Sequence, residues 1–497
     1  MARHAEHIGF PLVGLLRGAG LPLRTQLYAR LRDCILQGAP APGSRVPSSR
    51  CLAEHLHIAR NTAQAALEQL CAEGYTETRH GGGTYVSPQV QWEQVLSAQG
   101  PSLHRRRQAP LVDDSLAVDR SLGAGLPLAP GAPLVPERLR TLWARLLALQ
   151  CRRGEAGFGY GDPRGLGELR TAIARHLVAT RAVRCEADQI LLFSSSQQAF
   201  DLLLRFVQAA PGVAMEDPGH QGFRLAVQAS GRPCFPVGLD AGGIEPARIP
   251  QGVGMVFVTP SCQYPTGQVM PLERRMQLLA WAGRTGNYLV EYDYLGALRY
   301  FQHPQPSLQG LDREESVLYV GTCSEALFPA VRTTYLVVPR HLLDRLGSAR
   351  EAVGGFTPLL EQAALAELFA AGHLDSHLRR VRKDYDVRRE ILHRELEARL
   401  GEQLDLQEGD ASLHAILWLP RGQSDREIAH LARQRGLGVV PLSALTAGAV
   451  GRPGLLVGHT AASKLVLAHA AGLLGEIVSR QGPSRNGQGQ ASTLPMR

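Results

Sequence analysis

Residues 23–37 (LRTQLYARLRDCILQ) place Leu23, Leu27, Leu31, Cys34 and Ile35 at the three- and four-residue spacing of one helical face. The segment APAPGSRVPS breaks that pattern as a Pro/Gly turn, and Ser48 then stands as an N-cap opening a second helix, SSRCLAEHL. A short turn at His57, Ile58 and Ala59 leads into a third helical run, RNTAQAALEQLCAEG, which Gly74 closes. Two β-type runs follow, YTETR and TYVSP, joined by His80-Gly81-Gly82-Gly83.

Beyond residue 87 the pattern changes twice. Residues 88–113 lack periodicity and contain Pro88, Gly100-Pro101 and the basic cluster His104-Arg105-Arg106-Arg107, which predicts a flexible linker. Residues 114–480 alternate strand-like runs (QILLFSS, GVAMED, GMVFVTP, NYLVEYDY, SVLYVG, TTYLVV) with helical ones, among them the Trp143 segment, 166–179, 197–208, 272–285 and 374–400. That alternation predicts an α/β domain. The polar tail, residues 481–497, is expected to be disordered.

With 497 residues the chain is long enough for two or three domains and a large core. It holds no apolar run long enough for a membrane span, and its start lacks a signal-peptide cleavage pattern. The eight cysteines show no CxxC spacing, which fits a reducing, cytoplasmic setting and gives no support for a metal site. The net charge is +8, and residues 1–110 carry twelve Arg against seven acids, a local excess of +5 that suits a polyanionic partner.

A helix, a helix-turn-helix and a two-stranded hairpin make a winged helix-turn-helix, expected over residues 1–87. A recognition helix enters the major groove N-terminus first. Arg60, Asn61 and Thr62 lie at that end, in reach of base edges or phosphates, while Arg50 and the wing residues Arg79, Gly81 and Thr84 suit contact with the DNA backbone. Residues 22–86 resemble the GntR family nearly throughout. The resemblance implies double-stranded operator DNA as partner. Two positions depart from it: Ala59 replaces the usual Ser before Arg-Asn-Thr, and His57 replaces the usual turn Gly.

The second domain is organised around residues 318–338, LYVGTCSEALFPAVRTTYLVV, a strand, a loop broken by Gly321, Thr322 and Ser324, and a second strand. The stretch resembles the aminotransferase-like domain of MocR regulators, a GntR branch, where it reads roughly GTFSKTLFPALRLGY. The resemblance implies a fold-type I architecture related to pyridoxal 5′-phosphate (PLP) enzymes, and a homodimer. It also implies that the Schiff-base lysine is replaced by Glu325, leaving no catalytic residue. A carboxylate cannot form an imine, and the chain's two lysines, Lys383 and Lys464, lie in helical runs.

The same resemblance assigns the rest of a cofactor-pocket remnant. Ser196 and Gln197 match the phosphate-contacting pair at a helix N-terminus, with Ser195 for the family Gly; Ser324 matches the serine beside the lysine; Arg332 matches the phosphate ligand. His220 stands where an aromatic stacks on the pyridine ring, Cys262 where His is usual, and Tyr294 where a tyrosine meets the ring hydroxyl. Tyr292 stands at the Asp that would keep the pyridinium nitrogen protonated. Ser412, His459 and Thr460 replace Gly, Tyr and Ala, and Arg452 is the one candidate for a substrate carboxylate. The expectation is a DNA-binding regulator whose second domain serves dimerisation and binding of a small-molecule effector. The alternatives are a PLP-dependent regulator or aminotransferase using another lysine or an external amine, and a purely structural product.

Overall fold

A computed structural model describes residues 15, 21–79, 82–88, 125–298, 305–409, 413–448, 451–460 and 462–480. The expectations placed on Gly81, on the linker beyond residue 88 with its basic cluster, on Ser412 and on the tail 481–497 lie outside these residues. The chain divides into two compact units, residues 1–108 and 109–497.

In the first unit, α1 (Leu23–Leu36) turns Leu27, Leu31 and Ile35 inward, as its periodicity requires. α2 (Ser49–Leu56) begins at Ser48, whose Oγ accepts from the Cys51 amide at 3.2 Å. α3 (Arg60–Ala72) contributes Ala63, Ala66, Leu67 and Leu70 to the same core. Each fully buried Leu contributes roughly 2 kcal/mol of transfer free energy. β1 (Thr76–Arg79) and β2 (Gly83–Val86) form an antiparallel ribbon, Thr76 opposite Val86 and Arg79 opposite Gly83.

The second unit is built on an eight-stranded sheet. In chain order its strands are β3 (Ile190–Phe193), β4 (Gly212–Asp217), β5 (Cys234–Asp240), β6 (Gly243–Ile244), β7 (Val253–Val258), β8 (Tyr288–Asp293), β9 (Val317–Thr322) and β10 (Thr334–Val337). Their spatial order is β3-β10-β9-β8-β7-β4-β5-β6. β10 is antiparallel to both neighbours, β6 is antiparallel to β5, and the other strands run parallel. Strands buried on both faces need near-continuous apolar runs, and β3, β7 and β9 are buried at every position, with the polar Thr322 at the end of β9. Gly321 on β9 leaves room for the Tyr335 ring across the strand pair; a Cβ there would lie 2.4 Å from it.

The helices that place the site are α4 (Glu137–Arg152), α5 (Gly167–Arg181), α6 (Ser196–Phe206), α7 (Gln221–Ser230), α8 (Leu272–Thr285), α9 (Leu343–Ala352), α10 (Leu359–Ala370) and α11 (His373–Leu400). A smaller antiparallel sheet follows: β11 (Leu406–Glu408), β12 (His414–Trp418), β13 (Val440–Pro441) and β14 (Gly454–Gly458), ordered β11-β12-β14-β13. It packs with α12 (Asp425–Gln434), α13 (Lys464–Arg480) and the distal half of α11 around Leu392, Leu396, Leu417, Ile428, Leu455 and Leu467. No helix among the described residues is long and apolar enough to cross a membrane.

Candidate functional site

Two sites emerge, one in each unit. In the first, Arg60 and Asn61 are exposed at the start of α3 and Thr62 is half-buried behind them. Ala59 occupies the N-cap with extended backbone (φ −66°, ψ 139°) and no capping side chain. The first amides of a thirteen-residue helix therefore face outward, where the helix dipole favours an anion. His57 takes the left-handed conformation (φ 51°) that a Gly would adopt without penalty.

Arg50 is exposed and pairs with Glu54 one turn on at 3.2 Å. Arg79 pairs with Glu77 at 2.8 Å and lies over the Tyr85 ring at 4.6 Å, a cation–π arrangement that fixes it on the wing. Tyr85 Oη donates to the Gly82 carbonyl at 3.1 Å, and Thr84 is half-buried on β2. Such exposed ion pairs are worth at most about 1 kcal/mol, so both arginines can exchange a carboxylate for a phosphate.

In the second unit the carboxyl ends of the parallel strands converge, the crevice where open α/β sheets bind ligands. β3 runs into α6, where Ser195 caps the helix by accepting from the Gln198 amide at 3.3 Å. Ser196 is its first residue, and Gln197 presents an enclosed Nε2 with no hydrogen-bond partner among the described residues. β4 leads to His220, the N-cap of α7, whose Nδ1 accepts from the Phe223 amide at 3.1 Å. That bond places the proton on Nε2.

β8 carries Tyr292 on the face toward α6, and Tyr294 just beyond the strand on the same side. The Tyr292 ring lies 5.1 Å from His220, 5.3 Å from Phe200 on α6 and 5.8 Å from Tyr294. Tyr294 meets Tyr264 at 5.9 Å and donates to Cys262 Sγ at 3.5 Å. Burial, then the Cys262 sulfur, holds the Tyr294 phenol well above its usual range. Asp293 points the other way, as alternation requires. It accepts from Arg181 Nε at 2.5 Å and from Tyr319 Oη at 2.7 Å, and Arg181 also donates to Ser261 Oγ. Burial opposes the Arg181 charge most strongly, but Asp293, Tyr319 and Glu291 together outweigh it and hold the guanidinium above its ordinary value.

β9 ends at Thr322, and the loop behind it carries Ser324 and Glu325, both half-buried. Glu325 Oε2 is enclosed without a partner among the described residues, and burial pushes this carboxyl up to about 7. Its charge is felt at Tyr294 and at Cys323, whose thiol is pushed up to about 12, chiefly by burial. Arg332 closes a 3-10 turn in the left-handed region (φ 45°), exposed and without an ion pair among the described residues. A non-glycine residue held there stores of the order of 1 kcal/mol.

Ser196, Gln197, His220, Tyr292, Tyr294, Ser324 and Glu325 thus gather at one end of the sheet. Arg452 does not join them: it pairs with Asp405 at 2.5 Å and stacks over Trp418. Lys383 is exposed on α11, and Lys464 is tied to Asp384 at 3.0 Å. Sequence reasoning missed Arg181 and the scaffold around Glu216. That carboxylate accepts from Thr259 Oγ1 at 2.6 Å and from the Thr259 amide at 3.2 Å, and burial lifts it to about 7. Glu216 lies within the run GVAMED noted as a strand, whereas Arg181 falls just beyond the helical run 166–179. A cleft of about 1240 Å³ opens away from this cluster, lined by Arg175, His176, Leu360 and Phe369. No group of three or more His, Cys, Asp or Glu among the described residues is placed to hold a metal ion.

Residues 23–86 match the bacterial regulatory proteins of the gntR family, and residues 124–468 match the aminotransferase class I and II family. The fold resembles an archaeal alanine:glyoxylate aminotransferase (TM-score 0.69, 20% identity, 75% of this chain and 96% of the other). It also resembles the kynurenine aminotransferase of Pyrococcus horikoshii solved with PMP (TM-score 0.64, 23% identity, 71% and 90%). The architecture is therefore a GntR-type DNA-binding module joined to a fold-type I aminotransferase domain.

Along both units the chain is 33% identical over 439 residues (86% of this chain, 88% of the relative) to the probable rhizopine catabolism regulatory protein MocR of Rhizobium meliloti. It is 30% identical over 434 residues (87% and 91%) to the pyridoxine biosynthesis transcriptional regulator PdxR of Corynebacterium glutamicum. The chain belongs to the MocR-type transcriptional regulators of the GntR family.

Fold-type I aminotransferase domains usually bind PLP, and two of the similar structures carry related groups, PMP in the Pyrococcus horikoshii enzyme and phosphopyridoxyl-leucine in the Thermus thermophilus α-aminoadipate aminotransferase. The orphaned Gln197 Nε2 at the α6 N-terminus fits a phosphate, and the His220–Tyr292–Tyr294 surface fits an aromatic ring. The loop after β9 offers a carboxylate, not an amine, so an aldehyde finds no covalent partner there.

Proposed function

We propose that this protein represses or activates transcription by binding operator DNA through Arg50, Arg60, Asn61, Thr62, Arg79, Gly81 and Thr84. Its aminotransferase-like domain provides dimerisation and a non-covalent effector site, with Glu325 standing in place of the Schiff-base lysine. The observation that supports the regulatory reading is the winged helix-turn-helix with Arg60 and Asn61 exposed on an uncapped recognition helix. Catalytic silence is supported by the carboxylate at 325, by Tyr292 beneath the ring site and by the engagement of Lys464 with Asp384. A dimer is supported by the family and by Phe158, Tyr160 and Phe356, apolar rings left exposed on the second unit.

The test is binding of the purified full-length chain to the DNA upstream of its own gene, at several salt concentrations. Specific binding should weaken steeply with salt, as phosphate contacts release counterions. The double variant Arg60→Ala, Asn61→Ala should lose specific binding with its oligomeric state unchanged. Unchanged binding by that variant would overturn the assignment of α3.

A further inference from the structure

The effector site contains two enclosed polar atoms of opposite character. Gln197 Nε2 is a donor at the start of α6, and Glu325 Oε2 is an acceptor in the loop after β9; neither has a partner among the described residues. Enclosed polar groups are costly unless paired. Phe200 follows Gln197 by three residues on α6, its ring lies 5.3 Å from that of Tyr292, Tyr292 lies 5.8 Å from Tyr294, and the charge of Glu325 is felt at Tyr294. A carboxylate with an aromatic cluster beside it is the chemistry that recognises an organic ammonium, through a charge-assisted hydrogen bond and the ring quadrupoles.

We propose that Glu325 makes this site selective for a ligand bearing a primary ammonium group. The ligand is the phosphate of an aminomethyl-substituted aromatic ring, held without a covalent bond, its ammonium donating to Glu325 and its phosphate lying at the α6 N-terminus. This rests on the effector-site reading above and gives that site its ligand class. The carboxylate repels an uncompensated anion and offers an aldehyde nothing to react with, so the aminated form is preferred over the aldehyde. The other titratable groups near Glu325 do not compete for this role. Tyr294 and Cys323 stay neutral over the working range, and His377, which contacts the Ala326 carbonyl at 3.2 Å, has its basicity lowered by burial.

The experiment is calorimetric titration of the full-length protein with pyridoxamine 5′-phosphate and, separately, with pyridoxal 5′-phosphate at pH 8. A charge-assisted bond made by one ligand and not the other predicts a preference for the amine of about tenfold or more. Glu325→Gln should bring the two affinities within about threefold of each other. Equal affinities in the unaltered protein, tighter binding of the aldehyde, or a borohydride-trapped adduct on Lys383 or Lys464 would overturn the selectivity while leaving an effector site in place. Binding of neither compound would overturn the effector-site reading and the selectivity with it.

Discussion

The Glu325 carboxyl is the group whose removal tests the structure most directly without any ligand. The residue is half-buried, but its Oε2 is enclosed and unpaired, and it is the oxygen's surroundings that set the cost of charge. Burial raises the group from an ordinary 4.5 to about 7 in the folded chain. The folded state therefore holds a proton that the unfolded chain has released. The stability this provides is fully present below pH 4.5 and is lost as pH rises to 7. A gap of about 2.5 decades at 1.36 kcal/mol each is roughly 3 kcal/mol, an upper value because part of the residue meets solvent. Gln has the same shape and never carries the charge. Glu325→Gln should be near neutral at pH 5 and stabilising at pH 8, by about 2 kcal/mol more than at pH 5. At roughly 2 cal/mol/K per residue of unfolding entropy, that raises Tm of the second unit by about 2–3 °C. Glu216, also lifted to about 7, titrates equally in both proteins and cancels from the difference. Melting both proteins at the two pH values decides the matter. An equal effect at pH 5 and pH 8, or a larger one at pH 5, would show that the carboxyl is not desolvated as described.

Three further changes probe other parts of the molecule. Ala59→Ser supplies the missing cap of α3, worth about 1 kcal/mol, and should slow amide exchange in its first turn about fivefold in the full chain; unchanged exchange would mean the cap is already satisfied. Arg181→Met leaves Asp293 as an uncompensated buried charge and should cost about 3–5 kcal/mol, largely recovered in the Arg181→Met, Asp293→Leu double variant; a small loss in the single variant would refute the buried pair. Glu325→Lys alone should give little transaminase turnover with added PLP, because Tyr292 supplies no carboxylate to the ring nitrogen; robust turnover would refute that account.

Much of the fold can be read from periodicity. The Leu27–Leu31–Ile35 face, the Ser48 cap and the apolar runs of β3, β4, β7, β8, β9 and β10 each follow from local pattern. β5 does not, because Pro236 and Gly238 interrupt its alternation; its pairing with β4 overrides its weak intrinsic preference. Facing directions along β8 are equally readable, since a period of two sends Tyr292 and Asp293 to opposite sides. What Asp293 does there is not, because its partner Arg181 is 112 residues away and ends a helix that looks unremarkable by itself. Long-range pairing of this kind is set by topology and leaves no local signature. The role of Glu325 is intermediate: its identity is plain in the sequence, but its enclosure and its lack of a partner emerge only from the folded loop.

The pocket's charges bear on whether its departures from the family belong together. On the proposed reading the loop exchanges a cation for an anion, and the strand loses an anion at Tyr292. An enclosed anion is tolerated only if it takes up a proton or meets a counter-charge. With an aspartate still at 292, a second carboxylate would share the crevice and each would raise the cost of the other. Tyr292 removes that repulsion and adds a ring face to the path between α6 and Glu325, 5.8 Å from Tyr294. On that reading the two changes are coupled: the one at 292 makes the one at 325 tolerable. The site reads as one rebuilt around a carboxylate, with the recognition of a cation as the function that carboxylate can serve.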